Sequence, residues 1–280
     1  MSKIAVIGIV GESVFLPVKR FHQGEETVVA TAIHREWGGK GYNQALAAAR
    51  HGASVSFLGA VNACEASAIT QYSRQNGIHA TLSLKNEASP YAVILTDESG
   101  ANHVTVCQGA RLSSDDVRSF ACEIASSDIL LLSNETDTGV NDEAMRLAKA
   151  HGVRVIYNPA PARPLSPAVL DGVTLFTPNE HETKGLEDKA NVVITLGKKG
   201  CLIRKSGEML PPFPVGQAVD TTGAGDTFNG VLSVALAEGK SLREACRMAN
   251  AAASIEVTQR YVANAIPFRH QTENILWENT

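Results

Sequence analysis

The chain has 280 residues, of which 44% are hydrophobic and 19% charged, and its formal net charge is −4. This composition is typical of a globular α/β enzyme, and the lack of long basic runs argues against nucleic-acid binding. The five cysteines are scattered without a CxxC pair, which argues against a zinc site or a disulfide framework and favours the cytoplasm.

The first half of the chain alternates predicted strands and helices. KIAVIGI (3–9) is a continuous β-branched run, typical of a strand covered on both faces, and it is too short and too weakly cationic for a signal peptide. Apolar periodicity and turn residues predict helices at 41–52 and 66–77, a strand at 54–61, and a hairpin of strands at 91–97 and 102–107 around ESGA.

The second half continues the alternation and then becomes helical. The predicted elements are a serine-capped helix at 113–125, a strand at 128–133, a helix at 141–151, strands at 154–161, 173–180 and 191–197, and helices at 224–238, 241–257 and 270–278. Such alternation predicts a mainly parallel sheet with helices on both faces, a three-layer α/β/α fold. No window approaches the ~20 apolar residues of a membrane helix.

Two segments, 11–37 and about 79–107, carry strand-like stretches without crossover helices. We expect parts of them to form a small antiparallel sheet that projects from the main layer. Because no interdomain linker is evident, residues 1–280 are predicted to form one domain with this sheet attached.

The stretch DTTGAGDTFNG (220–230) places glycines directly before a predicted helix. Helix N-termini carry free N–H groups and partial positive charge, so Gly223, Ala224 and Gly225 are candidates for an anion hole. Asp226 follows in the first turn, where a carboxylate can take a proton from a substrate hydroxyl. The alternative is that Asp226 only complements the helix dipole. Neither GxxxxGK[ST] nor GxGxxG is present, which disfavours a P-loop and a dinucleotide site.

A second glycine cluster, WGGKGYNQALAAA (37–49), also precedes a predicted helix. Its glycines leave the backbone exposed, while Lys40 and Asn43 offer hydrogen-bond donors. By itself the cluster is equally consistent with a plain strand-to-helix turn.

Five ordered motifs together resemble the ribokinase-like (PfkB) carbohydrate kinases. They are GGKGYN (38–43), NPAPA (158–162), TPNE (177–180), TLGKKG (195–200) and DTTGAGDTFNG (220–230), and the resemblance spans residues 3 to about 267. It implies an ATP- and Mg²⁺-dependent sugar kinase with a three-layer α/β/α fold and a small β-sheet lid. It also implies a homodimer formed through the lid.

The resemblance assigns roles on the sugar side. Asp226 matches the base that activates a primary hydroxyl, next to the anion hole. Gly39, Lys40 and Asn43 match the loop that contacts the sugar, and Glu135, in SNETD, matches a sugar-binding glutamate. The plainer interpretations are a helix-start residue for Asn43 and a solvated carboxylate for Glu135.

The resemblance also assigns the nucleotide side. Asn179 and Glu182 match an NxxE element that organises Mg²⁺ and phosphate through water. Nucleotide contacts are implied for Thr195, Gly197, Gly200, Gly225 and, on the adenine side, Asn250. Simple structural roles, a helix cap for Asn179 and a surface position for Asn250, are the alternatives.

Family members often bind a monovalent cation such as K⁺ beside the anion hole. The matching positions are Asp220, Thr222, Glu256, Gln259 and Tyr261. Because the segment TQRYVANAIP lacks the glycine and serine of the family pattern at Tyr261 and Ala265, activation by K⁺ stays open.

The sequence departs from the family where the first strand normally supplies Asn-x-Asp for sugar hydroxyls. Gly11, Glu12 and Ser13 stand there, and alternation along an extended segment directs Glu12 away from Ser13. Arg111 replaces a small polar residue, so it either favours an acidic or phosphorylated substrate or is a plain surface arginine. The interval 183–191 is short and lacks the usual helix, which should open one flank of the nucleotide side.

These observations leave three functional interpretations. A kinase for a small, ribose-like sugar is favoured by the motifs. A kinase for a nucleoside or a sugar acid is kept open by Arg111 and by the missing first-strand aspartate. A non-catalytic sugar or nucleotide sensor on the same scaffold has no need of Asp226, and the intact GAGD and NxxE elements argue against it.

Overall fold

A computed structural model describes residues 1–98 and 101–279; Ser99 and Gly100, in the predicted ESGA turn, lie outside these ranges. The strands are β1 (Lys3–Ile7), β2 (Gly11–Pro17), β3 (His34–Gly38), β4 (Ser54–Asn62), β5 (Ile78–Lys85), β6 (Tyr91–Thr96), β7 (Asn102–Cys107), β8 (Ile129–Ser133), β9 (Arg154–Asn158), β10 (Leu175–Phe176), β11 (Val193–Thr195), β12 (Cys201–Ile203) and β13 (Glu208–Leu210). The helices are α1 (Lys40–Arg50), α2 (Ala66–Gln75), α3 (Ser114–Ser119), α4 (Ala121–Ala125), α5 (Thr138–His151), α6 (Pro167–Gly172), α7 (Ala224–Ala237), α8 (Leu242–Glu256) and α9 (Arg269–Glu278).

The central sheet has six parallel strands in the order β10-β9-β8-β1-β4-β5. Its middle strand, β1, is buried on both faces because helices cover the sheet from both sides. Ile4 and Val6 join the apolar cluster on one side, and Ala5 and Ile7 join the cluster on the other. This arrangement confirms the predicted three-layer α/β/α fold.

The first apolar cluster contains residues of α1, α7 and α8, and the second contains residues of α3, α4 and α5. In an open parallel sheet, ligands bind beyond the carboxyl ends of the strands. The segment after β8 and the N-termini of α1 and α7 contribute the residues described below as the candidate site.

A second sheet has four strands in the order β3-β2-β6-β7 and is the small sheet predicted from the sequence. It is mixed rather than antiparallel, because β2 pairs parallel with β6. Residues 78–85, which fall in the segment considered for this sheet, instead form the edge strand β5 of the central sheet. Phe15 and Ile94 join the first apolar cluster, so one face of the small sheet packs on the main layer.

Several element boundaries were wrong. The helix predicted at 113–125 is two helices, since Phe120 interrupts it with φ −99° and ψ 11°. The strand predicted at 173–180 is reduced to Leu175–Phe176, and that at 191–197 to Val193–Thr195.

The strand β11 does not continue the parallel sheet as a full member. It pairs antiparallel with β12 in a three-stranded sheet, β11-β12-β13. Two isolated bridges, Phe176–Val192 and Asn179–Thr195, connect this part of the chain to the β10 side. The hairpin of β12 and β13 was not predicted. None of the helices in the described residues is long and apolar enough to cross a membrane.

Candidate active site

The glycine stretch 220–230 forms a tight turn into α7. Gly223 is the N-cap with φ 91°, a left-handed conformation that favours glycine, and a Cβ there would lie 2.5 Å from Cγ1 of Val262. The helix begins at Ala224, and Gly225 has no neighbour that a Cβ would approach within 4 Å. The backbone N–H of Ala224 donates to the backbone oxygen of Thr221 at 3.4 Å, and the N–H groups of Gly225 and Asp226 can bind an anion.

Asp226 lies in the first turn of α7 and is 5% exposed. Its Oδ2 accepts a hydrogen bond from Nδ2 of Asn43 at 3.0 Å, and its Oδ1 accepts one from Nε2 of Gln44 at 3.2 Å. The carboxylate is thus held in one orientation beside the glycine turn.

The second glycine cluster brings α1 against β1. Gly39 has φ 109°, and a Cβ there would lie 2.5 Å from the backbone oxygen of Ile9. A Cβ on Gly41 would lie 2.7 Å from Cα of Gly8. This close approach places Lys40 and Asn43 at the start of α1, facing the start of α7.

Lys40 is the cation of the site. The carboxylate of Asp226 is the main cause that raises the pKa of Lys40, and Glu135 and Glu182 act in the same direction while burial opposes them. Lys40 is therefore charged and close to three of the predicted site carboxylates. This brings together residues from α1, α7, the segment after β8 and the NxxE element.

Glu135 follows β8 and its Oε2 accepts a hydrogen bond from the backbone N–H of Gly41 at 3.3 Å. Burial raises the pKa of Glu135 to about 7, and the nearby Lys40 opposes that rise. This glutamate therefore changes charge near neutral pH, which a solvated carboxylate does not.

A cleft opens beside Glu135, between the end of β1 and the small sheet. Its empty space, with the open mouth included, is about 360 Å³. Its polar lining includes Gln108, Arg111, Glu135 and Asp137. Nη1 of Arg111 donates to Oδ1 of Asp137 at 3.3 Å, and both side chains are about half exposed. Arg111, a residue in doubt from the sequence, therefore lines the cleft.

The structure explains why glycine stands at position 11, where the family pattern has an asparagine. A Cβ on Gly11 would lie 1.8 Å from the backbone oxygen of Pro90, so no side chain fits. Glu12 points away from Ser13, as alternation predicted, and pairs with Arg35 at 2.8 Å. Ser13 is 8% exposed, and its Oγ lies near Gly38. A single hydroxyl stands where the family pattern has an amide and a carboxylate.

On the predicted nucleotide side, the two residues of the NxxE element bond each other. The backbone N–H of Asn179 donates to Oε2 of Glu182 at 3.0 Å, and its Nδ2 donates to Oε1 at 2.8 Å. Thr195 bridges to Asn179, and Gly197 and Gly200 flank a short 3₁₀ turn with positive φ. This arrangement joins the predicted phosphate and nucleotide loops.

The side chain of Asn250 is buried and bonds the protein backbone. Its Nδ2 donates to the backbone oxygens of Leu210 and Pro211 at 3.0 and 3.2 Å, and the residue is 5% exposed. An adenine contact from this amide would have to compete with those bonds. The segment 183–191 has no helix, as expected, and Arg204 holds it through the backbone oxygens of Leu186 and Lys189.

The predicted cation residues cluster behind the glycine turn. Asp220 accepts from the backbone N–H groups of Thr222 and Tyr261 at 3.0 and 3.1 Å, and Tyr261 has φ 71°. Glu256 is 0% exposed, and its two carboxylate oxygens have no partner among the described residues. Burial, followed by Asp220, raises the pKa of Glu256. Gln259 is exposed and its side chain is not drawn into the cluster.

The sequence motifs missed three residues that contact the site. Gln44 bonds Asp226, Glu36 accepts from the backbone N–H groups of Val262 and Ala263, and Asn102 donates to Oγ1 of Thr222 at 2.8 Å. Asn102 and Glu36 tie the small sheet to the loops around the glycine turn. Within residues 1–98 and 101–279, no group of three or more His, Cys, Asp and Glu side chains is arranged to hold a metal ion.

Comparison with known proteins agrees with this architecture. Residues 1–269 match the pfkB family carbohydrate kinase profile. Ribokinase from Haemophilus influenzae is 36% identical, with 98% of each chain covered. The structure of ribokinase from Giardia lamblia superposes with a TM-score of 0.89 at 26% identity, covering 100% of this chain and 99% of that one. The structure of Arabidopsis thaliana ribokinase complexed with ribose and ATP gives 0.83 at 27% identity and 99% coverage of both. The chain therefore belongs to the pfkB family of carbohydrate kinases, which are phosphotransferases.

Proposed function

We propose that this protein transfers the γ-phosphoryl group of ATP to a hydroxyl of a small, ribose-like sugar, with Asp226 as the general base. The observation that carries the proposal is the convergence of Asp226, Lys40 and Glu135 at the N-termini of α1 and α7. The similarity to a ribokinase that binds ribose and ATP supports the choice of substrates.

In this proposal Asp226 accepts the proton of the attacking hydroxyl, which the family resemblance suggests is a primary one. The backbone N–H groups of 223–225 and the ammonium of Lys40 stabilise the negative charge on the transferred phosphoryl group. The small sheet acts as a lid that keeps water from competing with the sugar.

The residues present fit Mg²⁺. Glu182 offers a hard carboxylate ligand, fixed by Asn179 and close enough to Lys40 to influence its pKa. Glu182 and Asn179 would hold the ion through water, and the ion would neutralise phosphate charge when bound. The carboxylate of Glu256, which is buried without a partner among the described residues, lies near Asp220. This pair of acidic groups fits a monovalent cation such as K⁺.

A sugar acid is the second candidate acceptor, and Arg111 is the observation that favours it. Arg111 lines the cleft beside Glu135. The sequence has no carboxylate at Gly11 or Ser13, where the family pattern places one that would repel an anion. Asp137 lines the same cleft and opposes an anionic group, so a neutral sugar stays the first candidate.

We also propose a homodimer formed through the small sheet. β7 is its edge strand and exposes Val104 and Val106, which are 50% and 53% exposed. The five cysteines are free, which is consistent with the proposed reducing compartment.

ADP release from Mg·ATP with a panel of sugars, sugar acids and nucleosides tests the proposed function. We expect turnover with a neutral sugar and a sugar phosphate as product, identified by ³¹P NMR. Preferential turnover of an acidic acceptor would favour the second candidate. Binding of sugars without turnover of any acceptor would favour a sensor.

A further inference from the structure

Gln44 is a buried amide that the sequence motifs did not single out. It follows Asn43 on α1 and is 0% exposed. Its Nε2 donates to Oδ1 of Asp226 at 3.2 Å, while Nδ2 of Asn43 donates to Oδ2 at 3.0 Å. Each oxygen of Asp226 therefore accepts one amide hydrogen bond from α1. We call the pair of Asn43 and Gln44 the amide clamp.

The packing of α1 on α7 fixes the span of the amide clamp. A Cβ on Gly230 would lie 2.4 Å from the backbone oxygen of Gln44 and 2.6 Å from Cβ of Ala47. The two helices thus touch backbone to backbone. This close packing sets the distance across which Gln44 reaches Asp226.

The two members of the amide clamp differ in what they can touch. Asn43 is 7% exposed and belongs to the loop that the family resemblance places against the sugar. Gln44 is wholly buried and can act on the reacting atoms only through Asp226.

Stability alone is a poor explanation for Gln44. Its Oε1 is buried without a partner in the part of the chain that the structure describes, a situation that costs about 1–3 kcal/mol. An apolar side chain of the same length would avoid that cost. What Gln44 gains in return is the charge-assisted hydrogen bond to Asp226.

We propose that Gln44 is a positioning residue of the phosphoryl transfer, an inference that rests on the proposed role of Asp226 as base. With one amide hydrogen bond on each oxygen, the carboxylate cannot rotate without losing both bonds. Its remaining lone pairs keep fixed directions, so the proton of the sugar hydroxyl meets a correctly oriented acceptor. In this proposal Asn43, which bonds Asp226 and which the family resemblance places against the sugar, links sugar binding to that orientation.

A crystal structure of Gln44→Met tests the orientation without any substrate. Methionine keeps the length and apolar volume of the side chain and removes the donor. We expect the carboxylate of Asp226 to rotate or to occupy two orientations. The matched control is Ser73→Ala on the neighbouring α2, which removes a buried hydrogen bond to Tyr42 of α1 and does not touch Asp226. An unmoved Asp226 in Gln44→Met would overturn the proposal.

Kinetics separate positioning from stability. We expect Gln44→Met to lower kcat by about 10- to 100-fold with both KM values within about threefold, because the base is present but misoriented. Ser73→Ala should keep wild-type kcat at a comparable loss of Tm. Equal kcat values in the two variants would contradict the proposal.

Gln44→Glu adds a signature that a structural role does not predict. When protonated, the introduced carboxyl group can still donate to Asp226, whereas the ionised form repels it. Relative to wild type, this variant should therefore be more active at pH 6 than at pH 8, and a flat ratio would contradict the proposal. Failure of the wild type to phosphorylate any acceptor would instead refute the proposed function, and the crystal structures would still decide on Gln44.

Discussion

The two ends of the proposed acceptor site are built differently. At the phosphoryl end, Asp226 is 5% exposed and both its oxygens hold amide hydrogen bonds. At the cleft end, Arg111 and Asp137 are half exposed and share one bond of 3.3 Å. A buried carboxylate with one amide hydrogen bond on each oxygen keeps its geometry before substrate arrives, whereas an exposed ion pair is weak and can exchange partners with a ligand. If the proposed roles hold, we expect mutations near Asp226 to change kcat and mutations at the cleft end to change KM.

Removal of the site cation should have the largest effect among the changes that leave Asp226 in place. Lys40→Met would leave the carboxylates of Asp226, Glu135 and Glu182 without their common cation and would remove charge stabilisation from the phosphoryl group. We expect kcat to fall by about 10²- to 10³-fold. Steady-state kinetics beside Lys149→Met, an exposed lysine on α5, would measure this. A kcat within about threefold of wild type would contradict the role proposed for Lys40 at the phosphoryl end.

The second largest effect on kcat should come from a change in the backbone of the glycine turn. Gly223→Ala combines φ 91° with a contact of 2.5 Å to Val262, so the anion hole must distort, and we expect kcat to fall by about 10²-fold. Gly239→Ala is the matched control, since Gly239 has φ 83° and no neighbour within 4 Å of a Cβ. Equal activity in the two alanine variants would mean that the turn does not bind the transferred group.

A mutation at the cleft end should raise KM for the acceptor and leave kcat nearly unchanged. Arg111→Ala removes a donor from the cleft lining, which does not include Asp226, so we expect KM for the accepted sugar to rise about 10-fold with kcat nearly constant. Arg118→Ala, an exposed arginine paired with Glu143, is the control. A fall in kcat at constant KM would assign Arg111 to the phosphoryl end instead.

The smallest expected effect is a pH dependence of the free energy of unfolding that comes from Glu135. Burial raises the pKa of Glu135 to about 7 in the folded protein, above its unfolded value of 4.5. The folded state then binds the extra proton more strongly, so this contribution to stability is full below pH 4.5 and is lost as pH rises through 7. This contribution amounts to at most about 3.5 kcal/mol. Urea unfolding of wild type and Glu135→Gln at pH 5 and 8 should show a stability difference that changes by this amount or less. A pH-independent difference would contradict the environment described for Glu135.

Sequence and structure agree best where the signal is local. Gly223 and Asp226 lie within four residues, and the conformation of one and the helix position of the other follow from the motif itself. The parallel sheet follows from long alternating elements such as 54–61 and 128–133. Each of these features depends on neighbours along the chain.

Features that depend on long-range packing were not predictable from one sequence. Gln44 meets Asp226 across 182 residues only because Gly230 lets α1 and α7 touch. Glu36 accepts a hydrogen bond from the backbone N–H of Val262, 226 residues away, and no local sequence pattern predicts this contact. The strands β12 and β13 have three residues each, too few for alternation to reveal them.

The most direct test of the account is the rate of ADP formation from Mg·ATP in wild type and Asp226→Asn, measured with the best acceptor of the panel. Asparagine keeps the shape of the side chain and removes the base. The account predicts a loss of about 10³-fold or more in kcat, with acceptor and ATP binding retained by thermal shift. Turnover of the variant within about 10-fold of wild type would show that Asp226 is not the base and would contradict the account.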